Sequence, residues 1–159
     1  ADIPKLLAEL KGYDVSRDDA GMWSASKKSD DGTSETINQF YNSPFTISKS
    51  ADRMGIRLDG NQITSKQSPN IPSEGIVKGS VQVPGDGNPI VLMVDHPTIG
   101  GYPKIATVIL KDIAKLAQLS FGKEIRFEKI SIETAEDLFY ENQNDLKEIF
   151  KTISNVKKN

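Results

Sequence analysis

Within ten consecutive positions, Asp95 to Lys104, the chain places an acid, a base, a hydroxyl, a phenol and a cation around two adjacent glycines. Lys104, together with backbone N–H groups at Gly100 and Gly101, could hold a carboxylate or carbamoyl substrate. Glycine pairs let a backbone approach a ligand closely and adopt conformations closed to other residues. His96 titrates near neutrality when unperturbed, so it or its neighbour Asp95 could move protons, with Thr98 and Tyr102 as hydroxyl contacts. The same residues also suit a tight Gly- and Pro-rich connection whose polar side chains are simply solvated. Spacing alone leaves both readings open.

A second segment, Asp52 to Gly60, carries Arg53 and Arg57. Four residues apart on a strand, they would share a face and could clamp an anion. Pairing with Asp52, Asp59 or the acidic tail is the plainer alternative. Ser73-Glu74-Gly75 is a third candidate, with Glu74 either a general base or a turn residue before a strand. The sequence has no cysteine and one histidine, which leaves no thiol nucleophile and no multi-histidine metal centre. Phosphate-cradling GxGxxG and GxxxxGK[ST] patterns are missing, as is the GxSxG elbow. Lys+Arg 20 against Asp+Glu 22 gives a net charge of -2, a poor balance for nucleic-acid binding. No apolar run reaches the ~20 residues of a membrane span, and no signal-peptide pattern opens the sequence. A cytoplasmic protein without membrane or nucleic-acid partners is expected.

These candidates need a frame to hold them. The spacing predicts short strands at Phe45–Ser48, Gly55–Leu58, Gly75–Val77, Ser80–Val83, Ile90–Val94, Ile105–Ile109 and Ile125–Ile130, separated by Gly, Pro and Asn. Ile90–Val94 and Ile105–Ile109 are apolar on both faces and should be central. Pro84–Pro89 reads as a hairpin connection. Helices are expected at Ile3–Leu10, Thr33–Tyr41, Lys111–Gln118 and along the tail after a Ser131 cap, with Asn142-Gln143-Asn144 a candidate break. Ser24–Gly32 is polar without period and reads as a linker. The division expected is residues 1–42 as a helical segment and polar linker, 43–139 as a β-barrel, and 140–159 as a C-terminal helix.

Three blocks carry a family resemblance. Ser50–Gly60 (SADRMGIRLDG), Ser73–Leu92 with its GSVQVP and GNPIVL runs, and Thr98–Ile109 (TIGGYPKIATVI) resemble, in the same order, segments of the allophanate hydrolase subunit 2 family. That family includes the C subunit of 5-oxoprolinase, the KipA regulator and the carboxyltransferase region of urea carboxylase. The resemblance implies a mainly β, cyclophilin-like barrel with short helices and a C-terminal helix. It also implies a partner of the subunit 1 or B-subunit type and a small amide or carboxylate substrate. The implied activity is ATP-dependent 5-oxoproline cleavage or biotin-dependent carboxyl transfer, performed by a complex in which this chain itself binds neither cofactor. Asp95, His96 and Lys104 would be its catalytic residues; Arg53, Arg57, Thr98, Gly100, Gly101 and Tyr102 would contact substrate, with no metal. Relatives are longer and carry another barrel half ahead of the matched region. A KipA-like regulator without catalysis, or an inactive remnant of a longer subunit, are the alternatives.

Overall fold

The computed structural model describes residues 13–17, 23–27, 33–63 and 70–156. The helix expected at Ile3–Leu10 lies outside them. In chain order the elements are β1 (Tyr13–Arg17), β2 (Trp23–Lys27), α1 (Thr33–Asn42), β3 (Phe45–Ile47), β4 (Gly55–Gly60), β5 (Glu74–Gly75) and β6 (Ser80–Gln82). They continue with β7 (Ile90–Leu92), β8 (Ile99–Gly100), β9 (Lys104–Val108), α2 (Leu110–Leu116), β10 (Glu124–Ile125), β11 (Glu128–Lys129) and α3 (Ile132–Val156). Nine strands form one mostly antiparallel sheet in the order β1-β11-β2-β9-β6-β7-β4-β3-β10, and β5 pairs with β8 as a separate two-stranded arm.

The two strands with the most continuous apolar runs, β7 and β9, flank β6 near the middle of the sheet. Burial on both faces is what such a run requires. Ser24–Lys27, which reads as polar linker, instead lies in β2. There Ser24 and Ala25 pair with Val108 and Thr107 of β9, and Trp23 and Ser24 pair in parallel with Glu128 and Lys129 of β11. Backbone pairing on both sides holds a strand in place without any apolar period in its sequence.

The run Ile125–Ile130 reads as one strand and is two. β10 pairs with β3 at one edge of the sheet, and β11 pairs with β1 and β2 at the other. Only Arg126 and Phe127 join them, a reach of about 10 Å at most. The sheet therefore curls until its edges face each other, yet among the described residues β1 and β10 do not pair and the barrel stays open. Phe127 sits in this gap: it is buried, stacks on Phe40 of α1 at 4.6 Å and meets Phe45 of β3 edge-on at 6.1 Å. The aromatic cluster does by packing what closing hydrogen bonds would do in a sealed barrel.

Around it, Ile56, Leu58, Val81, Val91, Ile105, Ala106, Val108, Ile113 and Leu116 complete the core. Gly79 ends the approach to β6 at a φ of +91°, and a Cβ there would stand 2.5 Å from the Val108 carbonyl, so the tight crossing beneath β9 needs glycine. The Ser131 hydroxyl accepts from the Thr134 N–H at 3.2 Å and caps α3. Asn142-Gln143-Asn144 does not break that helix, which runs through all 25 residues. Asn and Gln lower helix propensity by only ~0.7 kcal/mol or less each, well below the cost of a glycine or proline. No helix among the described residues is long and apolar enough to cross a membrane.

Candidate functional site

Strand register decides which candidate residues can meet. Arg57 stands opposite Ile90, Ile90 opposite Gln82, and Gln82 opposite Lys104, so these four form one row across β4, β7, β6 and β9. Directly opposed residues share a face. The opposite face of β6 and β7 belongs to the core, through Val81 and Val91. Lys104 reaches the outer face through an irregularity. Val81 pairs with Ala106, but Gln82 pairs with Lys104, so β9 carries one extra residue at that point. Ile105 and Ala106 both enter the core, although consecutive. Without the bulge Lys104, two residues from Ala106, would point inward with it; the extra residue turns it out beside Gln82.

The β5–β8 arm lies over this end. Glu74 is opposite Gly100 and Gly75 opposite Ile99, and the Ile76 N–H donates to the Thr98 carbonyl at 3.0 Å. The Lys104 ammonium donates to the Gly75 carbonyl at 3.1 Å and stands 3.2 Å from a Glu74 carboxylate oxygen. The Lys104 side chain is only 17% exposed. Gln82 is buried and donates from Nε2 to the Tyr102 carbonyl at 3.4 Å. A Cβ on Gly100 would sit 2.8 Å from that same Nε2, and one on Gly101 would sit 3.1 Å from the Ile71 carbonyl. The glycine pair thus lets the arm lie flat on Gln82, and the Gly101 carbonyl accepts from the Ile71 N–H at 2.8 Å. Thr98 and Tyr102 are exposed at the edge of the arm.

Arg53, Asp95 and His96 lie at the other end. Arg53 precedes β4 rather than standing on it, so it does not share a strand face with Arg57. Their four-residue separation corresponds to roughly 13 Å along an extended chain. The Arg53 guanidinium grips Asp95, Nε to Oδ2 at 2.9 Å and Nη2 to Oδ1 at 3.4 Å. The Asp95 N–H donates to the Arg53 carbonyl at 3.0 Å, and Asp52 holds the preceding turn by accepting from the N–H groups of Met54 and Gly55. The alternative of ion pairing holds for Arg53, with a partner drawn from the other candidate segment. His96 Nδ1 donates to the Pro97 carbonyl at 2.6 Å, because a carbonyl can only accept.

The segment Asp95–Lys104 therefore spans the sheet from end to end and does not gather its polar residues into one place. Two further residues belong to the Lys104 end. Glu74, which reads from the sequence more readily as a turn residue than as a general base, is the partner of Lys104. Gln82 has no place among the sequence candidates, although an amide inside the apolar run Val81-Gln82-Val83 is a signal that one strand face is not ordinary core. Among the described residues no group of three or more His, Asp or Glu side chains is placed to hold a metal ion.

The sequence profile of the carboxyltransferase domain, subdomain A and B, matches residues 13–129. The chain belongs to this family. Its curated relatives include the C subunit of 5-oxoprolinase from Haemophilus influenzae, 42% identical over 118 residues, which are 73% of this chain and 38% of that protein. The corresponding 5-oxoprolinase protein of Escherichia coli is 44% identical over 96 residues, 60% of this chain and 31% of that protein. The crystal structure of Kluyveromyces lactis urea carboxylase superposes with a TM-score of 0.54 at 27% identity, over 58% of this chain and 9% of that one. The chain thus spans less than two fifths of the length of the curated relatives it matches. As a carboxyltransferase-domain protein it is mainly β, with short helices and a C-terminal helix, like the domains it resembles.

Proposed function

We propose that this chain supplies one wall of a substrate site in a 5-oxoprolinase-type or biotin-dependent carboxyltransferase-type complex, completed by a partner of the subunit 1 or B-subunit type. The observation that carries this reading is the half-buried Lys104, turned onto the outer face by the bulge and fixed beneath the arm by Glu74 and Gly75. A cation held there at low exposure can orient an amide or carboxylate oxygen, and its attraction is stronger than in open water. Arg57, on the same row roughly 14 Å away at ordinary strand spacing, would hold the far side of a larger ligand or the partner itself. Glu74 is the carboxylate within reach of the Lys104 ammonium, which makes it the better acid–base candidate than Asp95 or His96. Gly100, Gly101, Thr98 and Tyr102 form the arm that would close over the substrate.

The donor set does not suit a triphosphate, since Lys104 is already balanced by Glu74. In this reading ATP or biotin is handled by the wider complex, in the cytoplasm. The test is turnover of 5-oxoproline and of urea by this chain assembled with its partner subunits. Lys104→Ala should leave the complex intact and abolish most turnover. Unchanged turnover would remove Lys104 from the site, and an intact complex with no turnover of either substrate would favour a KipA-like regulator.

A further inference from the structure

Gln82 is a buried amide used at one end only. It is 5% exposed, and its Nε2 donates to the Tyr102 carbonyl at 3.4 Å. A carbonyl can only accept, so this bond fixes which end of the amide is nitrogen and which is Oε1. Nothing among the described residues donates to Oε1. Gln82 has no sealed polar atom lacking a partner, so Oε1 still opens outward. Acceptors on side chains this deep are ordinarily paired. One that opens outward is completed by a donor from outside the chain.

Lys104 supplies the opposite half. It stands directly across from Gln82 on the same sheet face, where β-carbons lie about 4.5–5.5 Å apart. An ammonium has three N–H groups, and that of Lys104 directs two of them to Glu74 and the Gly75 carbonyl. Both head groups meet neighbouring points of one arm. Glu74, which holds Lys104, is the strand partner of Gly100, whose missing Cβ makes room for Gln82 Nε2. The two side chains are not bonded to each other. A donor and an acceptor therefore lie side by side under the β5–β8 arm. A molecule that answers both carries a carbonyl oxygen and an N–H pointing the same way. Open-chain secondary amides are trans and point them apart, whereas a five-membered lactam holds them together.

We propose that Gln82 Oε1 is a specificity-determining acceptor that reads a substrate N–H while Lys104 holds the adjacent carbonyl. Together they select cis-amides of the five-membered lactam type over esters of the same shape. The inference rests on the reading of Lys104 as part of a substrate wall and adds the class of substrate that the wall selects. A lactone offers Lys104 the same carbonyl but turns a ring oxygen toward Oε1, so two acceptors face each other with no proton between them. A buried polar group rejects the analogue that leaves it unpaired.

The test is calorimetric binding to this chain assembled with its partner subunits. Its probes are 5-oxoproline and the oxygen isostere of that lactam, 5-oxotetrahydrofuran-2-carboxylate. The parent should bind the lactam at least about tenfold more tightly than the lactone. Gln82→Met keeps the length and removes both polar atoms. It should bring the two affinities within about threefold of each other, mostly by weakening the lactam. Gln82→Glu keeps an acceptor oxygen and loses the donor to Tyr102, so it should retain the preference. Folding of each variant is checked by circular dichroism. A parent indifferent to the exchange of N–H for oxygen overturns the proposal. So does an equal loss of both probes in Gln82→Met, or a lost preference in Gln82→Glu. Lys104→Ala separates this inference from the reading beneath it, and should weaken both probes. If it does so while Gln82→Met leaves their ratio unchanged, only the role of Gln82 falls. If it weakens neither, the substrate wall falls and the role of Gln82 with it.

Discussion

The two ends of the Asp95–Lys104 segment hold the same kind of bond in opposite surroundings. At one end Arg53 grips Asp95 with good geometry, but the arginine side chain is 80% exposed. At the other, Lys104 meets Glu74 at a longer distance while itself only 17% exposed and covered by an arm. Distance favours the first pair and environment favours the second. Exposed ion pairs contribute little because water and salt screen them. Glu74 and Asp95 are equally exposed at 46%, so the difference lies in the cation. A lysine shielded by backbone and a neighbouring amide keeps more of its field than an arginine in open water. Distance alone would pick the other end.

That contrast can be broken by substitution. The largest effect is expected from Lys104→Ala, a loss of about 100-fold or more in turnover of the assembled complex, the scale found when a preorganised electrostatic donor is removed. Next is Gly100→Val, which forces a side chain against Gln82 and Ile76. It should lift the β5–β8 arm and lower stability by about 1–3 kcal/mol, as overpacking does, and chemical denaturation will measure it. A Gly100→Val protein as stable as the parent would mean that the arm does not lie on Gln82.

Glu74→Gln keeps the shape beside Lys104 and removes the charge. Turnover should fall several-fold, while the denaturation midpoint moves by less than the equivalent of about 1 kcal/mol. Arg53→Ala should change turnover less than twofold and cost at most about 1 kcal/mol, and less still in high salt. If Arg53→Ala instead matches Lys104→Ala in lost turnover, the two ends serve one site and the separation drawn from strand register is wrong. The smallest effect concerns the start of α3. Glu133 is held below its ordinary carboxylate value of 4.5, first by a hydrogen bond to its own backbone N–H and then by the Ser131 hydroxyl. A carboxyl with a lowered folded-state value stabilises the fold above its unfolded value and loses that contribution as pH falls through the folded one. In the parent protein the helix start should therefore weaken slightly as pH falls below 4.5, and Ser131→Ala should raise the Glu133 titration midpoint, followed by NMR. No movement of that midpoint would remove the hydroxyl as a cause.

Much of the frame is legible residue by residue. Apolar runs with Gly and Pro punctuation locate β3, β4, β6, β7 and β9 to within a residue or two. The Ile37, Phe40 and Tyr41 spacing locates α1, and Ser131 locates the cap of α3. Trp23–Lys27 is not legible, because its place between β9 and β11 rests on backbone pairing that leaves no periodic signature. The split of Ile125–Ile130 is hidden for a related reason. The alternation continues through Arg126 and Phe127, while the partners change from one sheet edge to the other.

The candidate site divides in the same way. Composition and spacing determined that polar chemistry could sit on the Gly-Gly segment, that Lys104 was its cation, and that no thiol or multi-histidine metal centre was available. The three matched blocks determined the family. Only the tertiary structure decided that Arg53 belongs with Asp95 and that Arg57 shares a row with Lys104. It alone showed that one extra residue in β9 turns Lys104 away from the core. Side-chain alternation is a local rule that sequence can express. Register and bulges are set by which strands lie opposite one another, and that information exists only once distant segments have packed.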